Sequence, residues 1–97
     1  MFARVSTYRA GDGEKLVEGF ESVSSELEQV EGFSHAYFLV DRDSGKAVSI
    51  TLWDTEEALK ASQQKADELR QQGASVGGGT IESVGEFEVA MRLHARP

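Results

Sequence analysis

The chain has 97 residues, no cysteine, and 17 acidic against 10 basic side chains for a formal net charge of −7. That length fits one domain over residues 1–97, whose single layer of sheet and helix would bury only a marginal core, so burial against a second subunit would help. The negative charge repels nucleic acid and anionic membrane surfaces, which excludes both as partners, and the lack of cysteine removes disulfides, thiolate metal sites and a cysteine nucleophile.

Phe2 to Tyr8 alternates, with Ala3, Val5 and Thr7 on one side and Phe2, Arg4, Ser6 and Tyr8 on the other, the period of a strand. It starts without the long apolar run of a signal peptide or membrane span, so the cytoplasm is the default location. Ala10-Gly11-Asp12-Gly13 breaks the strand, and Asp12 is expected to cap a helix whose first turn carries Glu14. Leu16, Phe20, Val23, Leu27 and Val30 form the apolar stripe of that helix, and Glu18, Glu21 and Glu28 a solvated face. Gly32 suits the left-handed position that closes the helix, and Phe33 to Asp41 reads as a second strand.

Arg42-Asp43-Ser44-Gly45-Lys46 turns the chain back as a bulged hairpin into a third strand, Ala47 to Trp53. Val48, Ile50 and Leu52 take one face of it; Ser49, Thr51 and Trp53 take the other. Asp54 and Glu57 have capping-box spacing, which predicts a second helix from Thr55 to about Gln72, with Gly73 just past its end. Gly77-Gly78-Gly79 reads as a flexible loop; no G-K-[ST] follows it and no G-x-G-x-x-G is present, so a phosphate cradle has no support. Thr80 to Leu93 forms a fourth strand with Gly85 as a bulge or break, and His94 to Pro97 is a frayed tail.

The order strand, helix, strand, strand, helix, strand is the βαββαβ arrangement of an α+β, ferredoxin-like domain: a four-stranded antiparallel sheet with two helices on one face. Alternation groups Val5, Ala36, Phe38, Val40, Val48, Ile50, Leu52, Val89 and Met91 on one sheet face, and Tyr8, His35, Tyr37, Leu39 and Trp53 on the other. Neither face sits comfortably in water, so helices should cover one and the sheet of a second copy the other, giving a homodimer.

Tyr8-Arg9 leading into Gly11-Asp12-Gly13, then Glu31-Gly32-Phe33, then Leu52-Trp53 followed by Glu56-Glu57-Ala58 resemble the antibiotic biosynthesis monooxygenase family of dimeric α+β barrels. The resemblance implies a pocket between sheet and helices, lined from the Trp53 side, with the more apolar side against the partner sheet; polarity alone suggests the reverse. It also implies that Trp53 and Ser49 help hold an oxidisable aromatic substrate, in place of a tryptophan and a polar residue that is often asparagine. Haem-degrading members are expected to carry an asparagine on the first strand and a tryptophan and a histidine on the second helix. This chain has Ser6 near the first position, and Gln63 and Gln64 but neither tryptophan nor histidine on the helix.

The candidate substrate-binding residues are therefore Trp53, Ser49, Tyr37, Tyr8 and Ser6, with packing under the second helix as the other reading of Trp53. His35 shares a face with Tyr37 and is the candidate base, a tyrosinate being the other choice. His35 and His94, the two histidines, have no convergent carboxylate spacing, so no metal site is expected, and no cofactor motif appears. Two functions follow: a cofactor-independent monooxygenase of a small aromatic or quinol-type substrate, and a non-catalytic small-ligand-binding or interaction module on the same barrel.

Overall fold

The computed structural model describes residues Met1–Pro97. Its elements are β1 (Phe2–Ala10), α1 (Gly13–Glu28), β2 (Phe33–Val40), β3 (Lys46–Trp53), α2 (Glu56–Ala61), α3 (Gln63–Val76) and β4 (Gly79–Glu88). The strands form one antiparallel sheet in the order β2-β3-β1-β4, the ferredoxin-like arrangement that the order of elements requires. Asp12 caps α1 as expected: its carboxylate accepts from the amides of Glu14 at 3.0 Å and Lys15 at 3.4 Å. Leu16, Phe20, Val23 and Leu27 are all buried, so the stripe in the sequence is the face that meets the sheet.

The second helical region departs from expectation at both ends and in its middle. Asp54 does not cap it, because its own amide is still tied back to the Gly32 carbonyl at 3.0 Å. Thr55 caps α2 instead, accepting from the Ala58 amide at 3.0 Å. One continuous helix was expected, yet α2 and α3 part at Ser62. There the Leu59 carbonyl accepts from the Ser62 hydroxyl at 2.7 Å and from Arg4 Nη2 at 2.8 Å, while Arg4 Nη1 donates to Ser62 Oγ at 3.2 Å. Side-chain donors thus occupy a carbonyl that a continuing helix would bond with its own amide. Arg4 thereby ties the centre of the sheet to the junction of the two helices.

Gly73 does not end this helix; it lies inside α3 where α3 crosses α1. A Cβ on Gly19 would strike the Gly73 carbonyl, so the two helices meet backbone to backbone. The helix runs on to Val76, and Gly78, at φ +66°, makes the left-handed turn into β4. A Cβ on Gly77 would sit 2.7 Å from Leu16 Cα. The glycine run is therefore a tightly packed connection and not the loose loop that composition suggests.

In β4 the extra residue is Glu82, between the pairs Thr7–Ser83 and Tyr8–Ile81, whereas Gly85 pairs regularly with Val5. The strand ends at Glu88 opposite Phe2, with one more bond beyond the pair, from the Val89 amide to the Met1 carbonyl at 2.9 Å. Residues 89–97, of which 89–93 were expected to prolong the strand, carry no regular structure, and Met91 and Leu93 are exposed.

Cross-strand pairing fixes the two faces of the sheet. Ser6 lies opposite Ser49 and Ser49 opposite Phe38, so Arg4, Ser6, Tyr8, Phe38, Ser49 and Thr51 face the helices. Val5 lies opposite Ile50 and Ile50 opposite Tyr37, so Val5, Tyr37, Leu39, Val48 and Ile50 form the face away from the helices. The grouping expected for β2 is thus reversed. Strict alternation says which residues of one strand share a face, but the hairpin, with Val40 opposite Ala47, decides which face of the next strand they join.

Candidate functional site

Under the helices the core is divided. One buried cluster gathers Tyr8, Leu16, Phe20 and Ala74; the other gathers Val23, Leu27, Trp53, Leu59 and Leu69. Between them lies a cavity of about 40 Å³. Its floor is polar, made by Arg4, Ser6 and Tyr8 of β1 and Ser49 and Thr51 of β3, alternate residues that the pleat turns to one side. Its walls are Phe20, Val23 and Leu27 of α1, Phe38 of β2, and Ala66, Leu69, Arg70 and Gly73 of α3. Phe38 stacks on Phe20 with ring centroids 4.7 Å apart, closing the β2 side.

Every buried polar side chain has a partner. The Tyr8 hydroxyl and Ser49 Oγ share a hydrogen bond of 2.8 Å. Ser6 Oγ accepts from Arg70 Nε at 3.0 Å, and Arg70 Nη1 donates to Asp67 at 2.7 Å. Thr51 Oγ1 accepts from Trp53 Nε1 at 3.0 Å. The Arg4 guanidinium, besides its bonds to the helix junction, donates to Glu86 Oε2 at 3.0 Å and lies 5.7 Å from the centre of the Trp53 ring.

Of the residues singled out from sequence, Ser6, Tyr8 and Ser49 come together on the cavity floor. Trp53 does not reach it: the ring is fully buried beside Leu59, it packs edge-to-face with Phe33 at 5.6 Å between centroids, and its indole N–H is used by Thr51. This is the packing reading of Trp53. His35 and Tyr37 stay together, their rings 5.5 Å apart, but on the face away from the helices, because the β2–β3 register turns them from Ser49. Neither lines the cavity, which contains no histidine and no carboxylate. Sequence reasoning missed Arg4, Phe38 and Arg70, and put Thr51 on the face of Ser49 without giving it a role. Arg4 was legible in principle, since it shares the inward face of its strand with Ser6 and Tyr8, and a charged residue at the centre of such a face needs a partner.

No group of three or more histidine, cysteine or acidic residues could hold a metal ion. The cavity also limits what can bind without movement. At about 40 Å³ it admits roughly one to three waters, whereas a dry cavity that takes benzene measures about 150 Å³. An aromatic ligand therefore has to displace a wall. Phe38, at the edge strand and 36% exposed, and Arg70, held by one serine and one surface aspartate, are the wall groups with least to hold them.

A family model described as antibiotic biosynthesis monooxygenase matches residues 2–71. An uncharacterised protein of Mycobacterium tuberculosis is 36% identical over 64 residues, which is 66% of this chain but 28% of that protein, so the chain spans less than a third of the length of this curated relative. Among solved structures, the cofactor-independent oxygenase SnoaB of Streptomyces nogalater superposes with a TM-score of 0.74 at 18% identity, covering 95% of each chain. The haem degrader MhuD of Mycobacterium tuberculosis, with two haems bound, gives 0.75 at 20% identity, covering 97% of this chain and 100% of that one. At such identities the likeness establishes the fold alone. No helix is long and apolar enough to cross a membrane.

Proposed function

The chain belongs to the antibiotic biosynthesis monooxygenase family, and from that premise we propose that it is a cofactor-independent monooxygenase of a small aromatic or quinol-type substrate. The observation that carries this reading is the cavity between sheet and helices, with hydroxyl groups on its floor and aromatic and aliphatic side chains above them. An electron-rich ring would lie against Phe20 and Phe38 with a hydroxyl toward Ser6, Tyr8 and Ser49. Once deprotonated, such a substrate reduces dioxygen itself, and the apolar walls keep water from the reactive anion. The Tyr8–Ser49 pair is our candidate for relaying the substrate proton, in preference to His35, which the β2–β3 register puts on the far face.

Haem does not fit this site: the cavity side of α3 offers Ala66, Leu69, Arg70 and Gly73, none of which ligates haem iron, and the one lining oxygen of a ligating type, the Tyr8 hydroxyl, is bonded to Ser49 on the floor of a space of about 40 Å³. A binding module without catalysis is the second reading, favoured by a cavity that holds neither histidine nor carboxylate as a base. In both readings residues 1–97 act as one cytoplasmic domain and as a homodimer. Support for the dimer comes from the sheet face away from the helices, where Tyr37, Leu39 and Phe87 are 55%, 48% and 57% exposed. A solved neighbour with a TM-score of 0.64 is described as a dimeric ferredoxin-like protein. The test is oxygen uptake with dihydroxy-aromatic substrates by protein shown by sedimentation to be dimeric. Uptake that Tyr8→Phe lowers in kcat more than in KM is expected. Background uptake across the panel removes the oxygenase reading, and a monomer at micromolar concentration removes the dimer.

A further inference from the structure

The cavity shares a wall with an outer groove that runs between α3 and β4. Arg4 and Arg70 line both spaces, but Asp67 and Glu86 line only the groove. Each guanidinium therefore has its carboxylate on the outer side: Arg4 lies 3.0 Å from Glu86 and Arg70 2.7 Å from Asp67. The arginine side chains are 3% and 10% exposed, their carboxylate partners 40% and 54%. Water screens the exposed carboxylates far more than the buried cations, so the charges do not cancel inside the cavity as they do in the groove.

The remaining polar groups facing inward reinforce this asymmetry. Ser6 and the Tyr8–Ser49 pair each keep one hydroxyl hydrogen to donate, whereas Thr51 spends its own on the Arg4 carbonyl at 3.5 Å, and no carboxylate shares the space. Arg70 spends Nε on Ser6 and Nη1 on Asp67, which leaves the Nη2 donors for a ligand.

We propose that the cavity recognises an anionic oxygen, a phenolate or a carboxylate on a small aromatic ring, and that Arg4 and Arg70 are the residues that select it. The proposal rests on the cavity being the ligand site, as in the preceding reading, but on no reaction taking place there. A neutral isostere of the same shape leaves both guanidinium groups facing an uncharged ligand in a water-poor space. Displacing Arg70 from Ser6 joins the cavity to the groove, so the group that admits the ligand is also one that holds its charge.

Calorimetric titration of the full chain with benzoate and with benzamide, two rings of similar size differing in charge, tests this directly. A parallel titration with 4-nitrophenol on either side of its ionisation provides the phenolate arm. Either anion should bind about tenfold or more tighter than its neutral counterpart, and which anion does so separates phenolate from carboxylate recognition. Because Arg4 also holds the α2–α3 junction, the variants are Arg70→Met and Glu86→Gln. Arg70→Met should weaken the anion about tenfold more than it changes benzamide. Glu86→Gln removes the outer counter-charge of Arg4 and should tighten the anion. Neutral ligands binding as well as anions, or Glu86→Gln weakening the anion, overturns the proposal while the cavity remains a ligand site. Binding of neither class overturns both.

Discussion

Trp53→Phe separates a tryptophan that holds a ligand from one that holds the fold. The indole is fully buried, touches the cluster of Val23, Leu27, Leu59 and Leu69, and donates to Thr51 at 3.0 Å. Phenylalanine keeps an aromatic edge toward Phe33 but loses the hydrogen bond and leaves space where the second ring lay. Losing the bond should cost about 1 kcal/mol and the unfilled space about 1–2 more. For a domain of this size, about 2 kcal/mol shifts the thermal midpoint by roughly 8–16 °C. The full truncation, Trp53→Ala, should cost about 3–5 kcal/mol, a large share of a typical stability of about 5–15 kcal/mol. The assay is urea unfolding followed by far-ultraviolet circular dichroism, at one fixed protein concentration because a dimer's stability depends on it. Ligand affinity of folded Trp53→Phe should stay within about twofold of the parent, since the ring does not line the cavity. An unchanged urea midpoint together with a lost ligand would refute the packing assignment.

Gly19→Ala should destabilise by about 1–3 kcal/mol despite alanine's better helix propensity, because the new methyl meets the Gly73 carbonyl across the α1–α3 crossing; a raised melting temperature would show that the helices can part freely. His35→Ala should leave any turnover of the cavity unchanged and alter self-association instead, read by kinetics beside sedimentation; a loss of kcat in a folded dimer would return His35 to the site. Hydrogen bonds from the backbone amide and side chain of Ser44, then from the Asp43 amide, hold the Asp41 carboxyl below its ordinary value of 3.8. A depressed folded value means that this contribution to the β2–β3 hairpin is complete above 3.8 and is lost as pH falls through the folded value. The Ser44 amide resonance should titrate with a midpoint below 3.8 in the parent and not at all in Asp41→Asn; a midpoint at or above that value would refute the turn geometry.

Local chemistry made most of the fold legible. The α1 stripe and its Asp12 cap, the three strands Phe2–Ala10, Phe33–Val40 and Lys46–Trp53, and the order of elements all express periodicities and end signals that act within a few residues. The failures have a common cause. Asp54 satisfies capping-box spacing, yet a strand-end bond to Gly32 holds its amide; Gly73 looks like a helix end, yet it is the small residue that lets two helices touch. Ser62 reads as an interior residue of the helix expected from Thr55 to about Gln72 until Arg4, 58 positions away in sequence, reaches it.

The site divides in the same way. Ser6, Tyr8 and Ser49 could be placed together because each lies on the inward face of its own strand and the family resemblance named that face. Tyr37 and His35 could not, since period-2 alternation carries no information about which face of a neighbouring strand it meets; that is set by a hairpin register and is reversed by a slip of one residue. Nor could the sequence show that Arg4 and Arg70 line both the cavity and the outer groove while Glu86 and Asp67 line only the groove. Composition fixed a net charge of −7 for the whole chain, and only the tertiary structure decided that the cavity inside it is lined by two cations and no anion, because burial acts on each side chain separately and not on their sum.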